Sequence, residues 1–183
     1  MFRTRKCHQK ARLAETTNTD SHRSDKMSTL QQIADNEVFR AYATYVIIVL
    51  LKMMSLSALT SYYRTSRKAF SNLEDAAAFT KLSASDVKKY IRVDESVERV
   101  RRCHLNDIEN IVPFIGIGLV YTLSNPALST ALLHFRIFVG SRILHTISYL
   151  TPLPQPSRAL TNYIGFFATI SMAYATLRSV YFV

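Results

Sequence analysis

The chain has 183 residues, 48% of them hydrophobic, and carries a net charge of +10 with only four glycines and five prolines. That length admits one domain, or one domain and a tail, and so few chain breakers leave most of it to regular structure. The basic residues are interleaved with apolar stretches too long for a small DNA-binding domain, and no finger or basic-zipper spacing occurs, so nucleic acid is excluded as a partner.

Residues 1–27 are expected to form a disordered basic extension. The first 26 hold seven Lys/Arg and three Asp/Glu with almost nothing to bury, which cannot offset the entropy of ordering. No apolar core of a secretory signal is present, and Glu15, Asp20 and Asp25 count against a mitochondrial presequence. Met27 is a second candidate start, with the residues before it a variant extension.

Residues 28–183 are expected to form one membrane domain. Apolar residues gather in four blocks at about 38–63, 105–124, 127–150 and 159–183. Each is long enough to cross a hydrocarbon core of about 30 Å as a helix. Their polar positions are isolated, whereas a soluble helix shows a broad polar face. The expectation is an all-α integral membrane protein, a four-transmembrane-helix bundle. Ser124-Asn125-Pro126 reads as a tight turn between spans two and three, and Thr151–Pro156 as a stiff extended link between three and four. The 64–102 loop holds ten Lys/Arg against six acids. The positive-inside rule places that loop and the 151–158 link in the cytosol and both termini opposite. The seven basic residues near the N-terminus oppose this orientation, a second reason to read Met27 as a start.

Several charges fall where the bilayer should be: Lys52, Asp107, Glu109, Arg136, Arg142, His145 and Arg158. Such groups are costly unless paired or functional. Glu98, Arg102, Asn106 and Glu109 share one helical face, as do Arg142, His145 and Tyr149. Both faces lie toward the cytosolic end, where Arg64 closes span one and Arg158 opens span four. A collection rich in arginine suits an anionic polar ligand entering from the cytosol, with the apolar remainder suited to a lipid-soluble second substrate. No Ser-His-Asp order or phosphate loop is visible. Gly116 and Gly118 are expected to permit close helix packing, and Pro113 to kink span two. The two cysteines, Cys7 and Cys103, form no CxxC, and with scattered histidines they make neither a structural disulfide nor a metal site.

RKAFSNLED (67–75), VERVRRCHLNDIENIVPFIGIGLVY (97–121) and HFRIFVGSRILHTISYLTPLPQPSRAL (134–160) resemble the MAPEG family, membrane-associated proteins in eicosanoid and glutathione metabolism. The resemblance covers about residues 28–183 and is collinear. It implies a homotrimer of four-helix subunits that binds glutathione between neighbours near the cytosolic face. Carried over by position, the glutathione contacts are Arg64, Arg102, Asn106, Glu109, His145 and Tyr149, with Asp75 as a loop acid near the same site and Arg142 in the polar core. Arg158 is the catalytic residue, at the position that stabilises the glutathione thiolate in the family.

The implied activity is conjugation of glutathione to lipophilic electrophiles, with glutathione-dependent reduction of lipid hydroperoxides, and no metal. The implied place is the endoplasmic reticulum membrane, with the outer mitochondrial membrane as a second, among membrane lipid as a multi-pass protein. Leu105 and Ala159 stand where the family's prostaglandin-synthesising branch has Arg and Ser, which argues against glutathione-dependent isomerase chemistry. Ala76 stands where mammalian transferase-branch members have a cysteine tied to activation by thiol reagents. Cys103, flanked by Arg101, Arg102 and His104, is the one candidate for moving that sensor. The competing classes are the isomerase, a non-catalytic lipid-binding member of the same family, and a small ion channel. The channel reading is opposed by polar positions that collect at one end.

Overall fold

The structure is a computed structural model that describes residues 31, 32, 34–80, 84–151 and 153–181. The expected basic extension lies outside the described residues. The described chain is helical, in the order α1 (Glu37–Arg67), α2 (Leu73–Thr80), α3 (Ala84–Val87), a 3-10 turn (Lys88–Tyr90), α4 (Glu95–Leu123), α5 (Leu128–Leu150) and α6 (Ser157–Tyr181).

Local chemistry sets the ends of these helices. The Asn36 side chain accepts from the amides of Val38 and Phe39 at 2.9 and 3.1 Å, satisfying donors that the first turn of α1 leaves free. Lys68 ends α1 in the left-handed region at φ 49°, and the amides of Lys68 and Ala69 return to the carbonyls of Thr65 and Arg64. Asp94 caps α4 through Ser96 and Val97. That cap starts α4 ten residues before the apolar block expected from 105, so the charged run 95–104 is helix rather than loop. The described residues of the rest of the expected 64–102 loop pack on one another. Phe70, Ala76, Val87 and Tyr90 form a small cluster, and Phe70 stacks on Phe79 at 5.5 Å.

Helix α1 packs on α4 and α5, α6 packs on α5 and α4, and α4 touches α5. Their shared core holds Tyr42, Phe114, Tyr121, Phe135, Phe138 and Met172, with Phe114 and Phe138 stacked at 3.9 Å. Pro113 lies within α4, which continues through it. Two residues on, the Tyr42 hydroxyl donates to the carbonyl of Ile115 at 2.6 Å. The two glycines expected to admit close packing divide. A Cβ on Gly118 would sit 2.7 Å from Cε2 of Tyr42, whereas one on Gly116 would meet nothing within 4 Å.

The connections follow. Asn125 turns the chain between α4 and α5 at φ 51°, a left-handed conformation that asparagine tolerates. The link to α6 is less extended than expected, because Leu153 N donates back to Ser148 O and Ser157 N to Pro154 O.

Each long helix has 23 to 31 residues, more than the roughly 20 a bilayer requires. Among the described residues α1 alone is both long and apolar enough to cross a membrane by length and composition. The other three turn polar residues inward: Asp107 on α4, Ser141, Arg142 and His145 on α5, and Thr169 and Thr176 on α6 are buried. Their outer faces are apolar, with Val112, Leu119, Leu144, Ile147, Phe167 and Leu177 exposed.

Candidate functional site

The expected site residues lie toward one end of the bundle, on the end of α1, on α2, on the first half of α4, on the end of α5 and on the start of α6. They separate into a buried centre and two hollows.

The buried centre is an ion cluster. Arg142 on α5 and Asp107 on α4 are both 0% exposed and paired at 3.0 Å. The guanidinium meets Asp107 Oδ1 through both Nε and Nη2, and Lys52 on α1 takes the other oxygen, Oδ2. A buried arginine and a half-buried lysine thus share one carboxylate, a geometry that offsets part of the desolvation each charge would otherwise suffer. Arg142 also donates to Asn106 Oδ1 at 2.7 Å and to Asn162 Oδ1 at 3.0 Å, and lies 3.0 Å from His145 Nδ1. Arg142 is therefore closed off by its own partners and reaches a ligand only through them.

The first hollow, about 340 Å³, lies on the α1 side of α4 and is lined by Arg64, Asp75, Arg101, His104 and Leu105 with hydroxyls of Ser57, Thr60 and Ser61. Helix α2 carries Asp75 there. Arg64 Nε and His104 Nδ1 are buried without a hydrogen-bond partner among the described residues. Arg101 makes a two-pronged contact to Glu98 at 2.8–3.2 Å, which holds the Glu98 carboxyl below the usual carboxylate range.

The second hollow, about 590 Å³, lies on the α5 and α6 side and is lined by Glu95, Glu98, Arg99, Arg102, Tyr149 and Arg158. The Arg158 guanidinium stands 5.1 Å from the centre of the Tyr149 ring, a cation–π contact, and its Nε is buried without a partner among the described residues. Tyr149 in turn lies 5.4 Å from the His145 ring, ring centre to ring centre.

The structure thus brings Arg102, Tyr149 and Arg158 together, and places Asn106, His145 and Arg142 in the centre behind them. It sets Arg64 and Asp75 in a separate hollow that shares no lining residue with theirs. Glu109 is exposed on α4 with no ion-pair partner among the described residues. The sequence reading missed four participants. Arg101, His104 and Leu105 fall at i, i+3 and i+4, a face beside the one noticed, and Asn162 falls four residues after Arg158. Cys103, the candidate thiol sensor, is 0% exposed with Sγ 3.8 Å from the Thr146 hydroxyl, and its flanking Arg101 is engaged with Glu98. Ala76 is likewise fully buried. No group of metal ligands occurs among the described residues.

The MAPEG family profile matches residues 42–178. Over 153 residues, 84% of this chain and 97% of the relative, the sequence is 60% identical to microsomal glutathione S-transferase 1 of Sus scrofa. The protein of that name from Homo sapiens is 59% identical over the same shares. Prostaglandin E synthase of Bos taurus is 34% identical over 142 residues, 78% of this chain and 89% of the relative.

Proposed function

This chain belongs to the MAPEG family, and on that footing we propose that it is a membrane-bound glutathione S-transferase. Its residues 28–183 form one membrane domain, a four-span bundle that assembles as a homotrimer. It resides in the endoplasmic reticulum membrane and, as a second location, the outer mitochondrial membrane. It joins glutathione to lipophilic electrophiles and reduces lipid hydroperoxides at glutathione's expense. Support for four spans comes from apolar residues on the outer faces of all four long helices, while the ionised groups Asp107 and Arg142 are turned inward. Only lipid or another subunit covers such a surface without cost.

The observation that carries the catalytic reading is Arg158. Its guanidinium is oriented by the Tyr149 ring and keeps a buried N–H without a partner among the described residues. A thiol of ordinary pKa, about 8.5, is mostly protonated at neutral pH, and the thiolate is the nucleophile. A guanidinium in contact favours the thiolate. Arg64, Arg102, Asn106, His145, Tyr149, Asp75 and Glu109 join it in binding glutathione, arginines meeting its carboxylates and an acid its ammonium. The two hollows support a site completed between subunits: Arg64 and Asp75 of one subunit join Arg102, Tyr149 and Arg158 of the next.

The isomerase alternative has weaker support, since identity to the bovine prostaglandin E synthase is 34% and Leu105 and Ala159 depart from that branch. The test is direct. Purified protein with glutathione conjugates a chlorodinitrobenzene-type electrophile, and Arg158→Ala lowers that rate by about a hundredfold with melting behaviour intact. A variant with the wild-type rate removes Arg158 from the mechanism.

A further inference from the structure

Arg142 settles the direction of every hydrogen bond around it. Arginine offers five N–H donors and no acceptor. Each atom it meets must therefore present a lone pair. Three such atoms belong to side chains that could face either way: Asn106 Oδ1 at 2.7 Å, Asn162 Oδ1 at 3.0 Å and His145 Nδ1 at 3.0 Å. The two amides must turn their oxygens to Arg142 and their NH2 groups away. The imidazole cannot hold a proton on Nδ1, so its proton is on Nε2. Asn106 Nδ2, Asn162 Nδ2 and His145 Nε2 have no hydrogen-bond partner among the described residues. A buried arginine, fixed by Asp107, thus sets three side chains so that each offers only donors beyond it.

The side chains that carry those donors do not line the second hollow but neighbour residues that do. Asn162 and Arg158 are four residues apart on α6, hence on one face with Cβ atoms roughly 6 Å apart. His145 lies against Tyr149, and Tyr149 lies under Arg158. We propose that Asn162 is a further ligand-binding residue, whose Nδ2–H, together with His145 Nε2–H, donates to the thiolate that Arg158 faces. Arg142 is the residue that positions both. This inference rests on the glutathione reading above.

The competing account gives Asn162 a structural role alone, as an acceptor for Arg142. Asn162→Asp separates the two. It keeps an oxygen for Arg142 and replaces the outward donor with an anionic acceptor. The measurement is the ultraviolet thiolate absorbance of glutathione bound to the detergent-solubilised protein, titrated with pH, beside kcat and KM for conjugation. The expected result is a thiolate signal at neutral pH in the wild type, reduced about tenfold or more in Asn162→Asp, with kcat falling in parallel and melting unchanged. A second pair checks the same point without touching Asn162. His145→Gln keeps an acceptor for Arg142 and a donor beyond it, so it loses less thiolate signal than His145→Leu. A wild-type thiolate signal that Asn162→Asp leaves intact, or equal losses in both His145 variants, overturns this inference alone. A wild type with neither thiolate signal nor conjugation overturns the glutathione reading with it.

Discussion

Gly118 and Gly116 stand one residue apart from sharing a face of α4, and their surroundings differ. Gly118 lets Tyr42 approach so closely that an added methyl would press on its ring at 2.7 Å. That ring is also held by its hydroxyl on Ile115 O, so it has little freedom to retreat. Gly118→Ala is expected to cost about 1–3 kcal/mol. Gly116→Ala meets open space and gains helix propensity, up to about 1 kcal/mol. Thermal melting in detergent distinguishes them, and equal melting temperatures would contradict the packing described. The sequence alone marked both glycines for close packing, because the partner of each is set by a distant helix. Asn162 was illegible for the same reason. A neutral amide in an apolar helix reads as one isolated polar position until Arg142, twenty residues away in sequence, is seen to bond it. Arg102, Tyr149 and Arg158 were legible because charge and aromatic polarity at the end of an apolar block are conspicuous by themselves.

At the scale of the helix, the four long segments were legible from length and apolarity, while their ends were not. Helix α4 begins at Glu95 because Asp94 caps it, and a charged first turn carries no apolar signal. The short helices α2 and α3 are too brief to show periodicity, although α2 is what delivers Asp75 to its hollow. The tie between elements is the Lys52–Asp107–Arg142 cluster, which joins α1, α4 and α5. Removing the carboxylate strands two cations in the interior. Asp107→Leu is expected to destabilise the fold by about 3–5 kcal/mol. Lys52→Met removes a cation that is itself 15% exposed and leaves Asp107 paired with Arg142, so its loss is smaller. Unfolding of both variants in detergent checks the order, and an Asp107→Leu protein as stable as the Lys52→Met protein would contradict it.

At the scale of the molecule, the expected glutathione contacts do not converge within one chain. Arg64 and Asp75 line one hollow, Arg102, Tyr149 and Arg158 another, with no residue in common. One face of α4 serves each, through Arg101 and His104 on one side and Glu98 and Arg102 on the other. A homotrimer reconciles them if the first hollow of each subunit meets the second hollow of its neighbour. The collinear motifs carried the idea of a shared site, but the division into two hollows was not legible, because it depends on which side of α4 the flanking helices pack. The decisive measurement is complementation. Arg64→Ala and Arg158→Ala are each expected to lose most glutathione conjugation alone. Co-expressed and randomly mixed, they restore both wild-type halves at about a quarter of the sites, so conjugation should return to about a quarter of the wild-type rate. Mixed trimers that form but stay as inactive as either parent would contradict a site shared between subunits.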